Sequence, residues 1–125
     1  MAHDKNTSPV GWYFGSYVLR FAELSDENRH DPERKFLTWE NTVLVRASTL
    51  DEAYDKVAKI GRDSSRPYRG GTDGVPVRWH FEGISQLMPI YEDLKDGAEI
   101  AWTDHGMRKL KTTKKWVHPK GSFKA

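Results

Sequence analysis

The 125-residue chain contains no cysteine, so it forms no disulfide and offers neither a thiolate nucleophile nor a thiolate metal ligand. No apolar run approaches the ~20 residues that span a bilayer, and Met1 to Pro9 lacks the apolar stretch of a secretory signal. No membrane partner is expected, and the expected location is the bacterial cytoplasm. Nothing repeats at a fixed period. Acidic residues are missing altogether after Asp104, whereas Arg108, Lys109, Lys111, Lys114, Lys115, Lys120 and Lys124 all follow it. Taking those seven from twenty basic residues leaves thirteen against eighteen acidic ones, so a body of net −5 carries a tail of +7.

What remains is enough for one core. The length is close to that of one ordinary domain, and five tryptophans, five tyrosines and five phenylalanines supply large packing units despite the low mean hydropathy. The sequence divides into a loose segment over 1–11, one α+β domain over 12–104 and a basic tail over 105–125.

Trp12 to Leu24 reads as a strand with Tyr13, Tyr17, Leu19 and Phe21 on one face and Trp12, Phe14, Ser16, Val18 and Arg20 on the other. Apolar groups on both faces predict a central strand or a covered second face. Ser25 to Arg34 is charged, holds Pro32, and reads as a solvated hairpin loop. Phe36 to Ala47 reads as a second strand, and Thr49-Leu50-Asp51-Glu52 fits a capping box that starts a helix. Leu50, Ala53, Tyr54, Val57 and Ile60 form its apolar stripe, with Gly61 placed to stop it in the left-handed conformation.

Arg62 to Gly74 has the proline and glycine content of a flexible excursion ending in a tight turn. Val75, Val77, Trp79 and Phe81 then alternate with polar residues as a strand that Gly83 closes. The Asp96-Gly97 pair, flanked by Ile84 to Leu94 and Ala98 to Trp102, predicts a last hairpin, with Ser85 to Met88 alternatively a turn of helix. The expected architecture is an antiparallel sheet of about five strands with one main α-helix on one face. That helix is expected to cover Trp39, Val43, Val45, Val77, Trp79 and Phe81, burying Trp79.

Several of these residues together, Trp12-Tyr13 opening a strand, the Thr49 to Gly61 helix, Val77-x-Trp79-x-Phe81-x-Gly83-Ile84 and Leu94-x-Asp96-Gly97-x-Glu99, resemble a bacterial family known only as domain of unknown function 4288. The similarity covers about residues 12 to 102. It implies a small α+β domain and carries over no catalytic residue, cofactor or partner. Small domains of this look also occur among bacterial immunity proteins that neutralise toxins, an analogy of fold alone.

Two surfaces offer function. The sheet face away from the helix gathers Arg20, Glu40, Arg78, His80 and Glu82 beside Trp12 and Phe14, which suits a protein partner, a second copy of the chain, or proton chemistry at His80 between carboxylates. Alternating charges are also what any half-exposed sheet face shows, so binding is favoured over catalysis. In the tail, Arg108, Lys109, Lys111, Lys114, Lys115 and Trp116 could neutralise phosphates while a ring stacks on an unpaired base, but a disordered, solubilising extension or an arm docked on its own acidic body or a neighbour's is the favoured reading. The five histidines, His3, His30, His80, His105 and His118, lie one per segment, so neither metal nor cofactor is expected. Gly70 to Gly74 precedes a strand, not the helix a phosphate loop requires, and reads as a plain turn. The favoured function is a non-enzymatic binding protein, most concretely an immunity-type inhibitor whose acidic body meets a basic toxin or nuclease domain. A nucleic-acid-binding accessory protein using the tail, and a small enzyme using the His80 face, are the alternatives.

Overall fold

The computed structural model describes residues 4–70 and 74–123. His3, Lys124 and the Gly71-Thr72-Asp73 part of the expected turn lie outside them. The elements are β1 (Trp12–Glu23), β2 (Thr38–Arg46), α1 (Leu50–Asp63), β3 (Tyr68–Gly70), β4 (Val75–Pro89), α2 (Leu110–Lys114) and a closing 3-10 turn (Lys120–Phe123). One antiparallel sheet runs in the order β2-β1-β4-β3. The fold is therefore α+β as expected, with four strands rather than five.

β1 is the central strand its two apolar faces predict. Tyr13 pairs with Val45 on one side and Pro89 on the other, and Tyr13, Phe14, Ser16, Tyr17 and Leu19 are all buried. Ser8 is buried too: its hydroxyl donates to the Ile90 carbonyl at 2.5 Å, and its amide donates to the Tyr13 hydroxyl at 3.0 Å. Those bonds tie the chain ahead of β1 to the end of β4.

α1 opens as the capping box predicts. The Thr49 side chain accepts from the Glu52 amide at 3.1 Å, and Glu52 reaches back to the Ser48 amide at 3.2 Å. The buried stripe differs from the expected one, consisting of Ala53, Val57, Ala58 and Gly61, while Tyr54 and Ile60 face outward. Gly61 does not stop the helix, which continues to Asp63 and is capped by Ser64 in the right-handed conformation. The reason is space. A Cβ on Gly61 would lie 2.5 Å from the Phe81 ring, and one on Gly15 of β1 would lie 2.5 Å from a Val57 methyl. Both glycines are there to let helix and sheet approach.

β4 departs most from expectation. Gly83 does not end it, and no hairpin forms between Ile84 to Leu94 and Ala98 to Trp102. One strand runs from Val75 to Pro89, with register shifts against β1 between Ser16 and Tyr17 and between Val18 and Leu19. Each bulge adds a residue and resets which face the next side chain takes. Phe81, Ile84 and Leu87 therefore all pack on the core at three-residue spacing, a spacing that imitates a helix. Gly83 at φ +146 supplies a backbone conformation that other residues rarely adopt. The Asp96-Gly97 turn does form, with the Ala98 amide donating to the Lys95 carbonyl at 2.9 Å, but no strands flank it.

Because α1 covers the Tyr13, Tyr17 and Val45 end of its face, the other end is left open. Trp79 is on the expected face yet only partly buried, and Trp39, expected in the core, is 54% exposed. Their rings meet at 5.0 Å, Phe21 meets Trp79 at 5.2 Å, and the Trp79 indole donates to the Tyr68 hydroxyl at 3.0 Å.

Alanine is normally worth about 1 kcal/mol over glycine inside a helix, but forcing a methyl into a filled site costs about 1–3 kcal/mol. Gly61→Ala should therefore destabilise the protein in urea unfolding, and the loss should shrink in a Phe81→Leu background. Stabilisation by Gly61→Ala would show that the Phe81 ring moves aside freely.

Candidate functional site

The expected second face is partly roofed. The loop between β1 and β2 folds back through a run of turns, in which the amides of Asp26, Arg29, Asp31 and Arg34 donate to the carbonyls of Glu23, Asp26, Asn28 and Asp31. Asp26 pairs with Arg34, and its carboxyl is held below the usual range, chiefly by the Asn28 amide bonded to it.

Arg20 fastens this loop to the sheet. Its Nε donates to Glu82 at 2.7 Å, Nη1 donates to the Arg29 carbonyl, and Nη2 donates to His30 Nδ1 at 3.2 Å, while the guanidinium lies 4.9 Å from the Phe36 ring centre. A guanidinium has no acceptor, so His30 takes this bond with an unprotonated Nδ1. His30 in turn meets the His80 ring at 5.2 Å. Scattered in sequence, these two histidines converge because β4 pairs His80 with Arg20 and the loop returns His30 to the same arginine. The sequence carries no sign of the convergence, since nothing local specifies the path of the loop.

The face divides into two clefts that meet at Arg20. One, of about 790 Å³, is walled by Arg20, His30, Asp31, Lys35, Phe36 and Glu82, among others. The second, of about 660 Å³, lies between β4 and the end of α1 and includes Arg62, Ser65, Arg78 and His80. Arg78 donates its Nε to the Ser65 carbonyl at 2.6 Å, and Arg62 sits 5.7 Å from the Phe81 ring centre. His80 Nε2 is buried without a hydrogen-bond partner among the described residues. Burial, then the Arg20 guanidinium, the adjacent His30 ring and the Arg78 guanidinium, holds the His80 pKa below the ordinary histidine value, with only Glu82 opposing.

The structure thus brings Arg20, Arg78, His80 and Glu82 together. It sets the other expected binding residues apart. Glu40 accepts from the Ser85 hydroxyl at 2.6 Å, Trp12 lies under the Arg46 guanidinium at 4.7 Å, and Phe14 is buried. Glu82 is already paired with Arg20, so the local charge of the clefts is positive although the body as a whole is acidic.

In the tail, Lys109 precedes α2, which contains Lys111 and Lys114, and Lys115 and Trp116 follow. Among the described residues, the backbones of α2 and the closing turn come close to neither the sheet nor α1. Trp116 is 44% exposed and stacks on His105 at 4.4 Å. Among the described residues no group of three or more His, Asp or Glu could hold a metal ion, and no helix is long and apolar enough to cross a membrane.

Replacing Arg20 by alanine should cost about 2 kcal/mol, because charge-assisted bonds to Glu82 and the loop are lost together. Trypsin should then cut faster after Arg29, Arg34 and Lys35, and Arg20→Lys should not restore protection, since an ammonium lacks the fork. Unchanged cleavage would show that the loop is held by its own turns. His80 gives a pH signature. Its folded pKa lies below the unfolded value of 6.5, so the unfolded chain takes up the proton first and stability falls as pH drops below about 6.5. Urea midpoints should fall more steeply with acidification in the native chain than in His80→Gln; equal slopes would remove His80 as the cause.

The family model described as Domain of unknown function (DUF4288) matches residues 12–102. No curated protein and no solved structure matches the chain.

Proposed function

Because the chain belongs to the family described as Domain of unknown function (DUF4288), which names no activity, the geometry must supply the function, and we propose a non-enzymatic, nucleic-acid-binding accessory protein. One observation carries the reading. Lys111 and Lys114 stand on α2, whose backbone, among the described residues, comes close to neither the sheet nor α1, with Arg108, Lys109 and Lys115 beside it and Trp116 exposed among them. A self-docked arm would have to spend its charge on the acidic body. A free one keeps its cations for phosphates and, on the side of Trp116 away from His105, ring surface for a base. Binding is favoured over catalysis because Glu82, the carboxylate nearest His80 in sequence, is paired with Arg20, and His80 Nε2 lies out of reach of solvent.

An immunity-type inhibitor acting on a toxin or nuclease domain is the second reading, and a different feature favours it. Leu37, Trp39 and Tyr68 are 57%, 54% and 45% exposed, and Trp39 and Tyr68 both join Trp79 at the uncovered end of the helix face. Exposed, rigidly held aromatics are the kind of anchor protein partners use. The Glu40 and Glu82 face is less suited to a basic partner, since both carboxylates already have bonds.

Changing Lys109, Lys111, Lys114 and Lys115 together to glutamine should abolish binding to a single-stranded oligonucleotide without changing the melting temperature. Residual affinity should lose about 3 from its log–log salt slope, the share of four phosphate contacts on a single strand. Wild-type affinity in that variant would remove the tail from the function. A lowered melting temperature would instead show that the tail is docked and structural.

A further inference from the structure

We infer that the cleft between the end of α1 and β4 is a binding site for a compact phosphoryl oxyanion, held by the guanidinium groups of Arg62 and Arg78. The inference concerns the body alone and goes beyond the tail's role. Arg78, which lines the cleft, makes one hydrogen bond among the described residues, from Nε to the Ser65 carbonyl, which tethers the side chain and leaves both terminal nitrogens without a protein partner there. Arg62 makes no side-chain hydrogen bond among the described residues and is steadied only by the Phe81 ring. A tethered Arg78 and an exposed Arg62 with no side-chain hydrogen bond among the described residues line one cleft of about 660 Å³, and guanidinium groups are the donors that a tetrahedral oxyanion accepts.

The remaining groups fit such a ligand. Glu82 does not repel an anion strongly, because Arg20 neutralises it. The end of α1 would ordinarily repel one through its free carbonyls. Here those of Ile60, Gly61 and Arg62 already accept from Ser64 and Ser65, and that of Ser65 accepts from Arg78. His80 lines the same cleft, so its ring reports a ligand bound there although its Nε2 is itself buried. Free phosphate and the phosphate group of a larger molecule present the same chemistry to this cleft.

The test is a titration of sodium phosphate into the full chain at fixed pH, with ionic strength held by sodium chloride, following the ring resonances of His80 and His30 by NMR. A saturating shift is expected, weakened at least about tenfold by Arg62→Gln and by Arg78→Gln, and unchanged when Lys114 and Lys115 are both glutamine. Arg62 has no hydrogen bond to lose, so its variant stays informative if Arg78→Gln perturbs the fold. A 5′-phosphorylated dinucleotide that binds more tightly than phosphate, with its 5′-hydroxyl counterpart failing to bind, assigns the site to a phosphorylated larger molecule; equal affinity assigns it to the free anion. A shift that never saturates, that chloride reproduces, or that Arg62→Gln leaves intact would overturn the site. Because the tail variant is scored separately, loss of this site leaves nucleic-acid binding by the tail standing, and the reverse.

Discussion

The distance between α1 and the sheet governs the rest of the molecule. Gly15 under Val57 and Gly61 over Phe81 let backbone approach backbone where any Cβ would collide, so a narrow stripe of Ala53, Val57, Ala58 and Gly61 is enough to seal the core. A helix seated this closely covers little width. It buries Tyr13, Tyr17, Leu19 and Val45 and leaves Trp39 and Trp79 to cover each other at the open end. The same seating delivers the end of α1 beside β4, which is why Arg62 rests on Phe81 and Ser65 meets Arg78. Core packing and cleft are consequences of one contact.

The parts legible in the sequence are those specified by near neighbours. β1, β2 and the start of α1 follow from alternation and from a capping box whose four residues lie side by side, and they stand where expected. Gly61 and Gly83 were misread for one reason: a glycine announces an unusual demand without saying which. At Gly61 the demand is space against Phe81, and at Gly83 it is a backbone angle. Strand β4 shows the limit most clearly. Two bulges turn a two-residue period into the three-residue spacing of Phe81, Ile84 and Leu87, and a bulge exists only relative to a partner strand that the sequence does not display.

Charge was legible as a total and misleading as a place. The body carries five more acidic than basic residues, yet Glu40 and Glu82 are bonded to Ser85 and Arg20, and the clefts collect Arg20, Arg62 and Arg78. Arg20 is the pivot of that arrangement. One guanidinium joins β4, the loop and an aromatic ring, and it does so because it has separate donors pointing in separate directions. A lysine in its place would keep the net charge and lose the architecture.

The division of cation types follows the same logic and distinguishes the two anion sites proposed for this chain. From Arg108 onward there are six lysines and one arginine, and among the described residues the backbone of α2, which carries Lys111 and Lys114, comes close to neither the sheet nor α1. Such charges favour any polyanion and discriminate little, because no fixed fork sets the geometry. In the body, Arg20 and Arg78 are each held by a hydrogen bond before any ligand arrives. Their ordering entropy has already been met by folding, so a ligand gains from their direction as well as their charge. The tail is therefore suited to capture and the cleft to selection, and the two need not act on the same molecule.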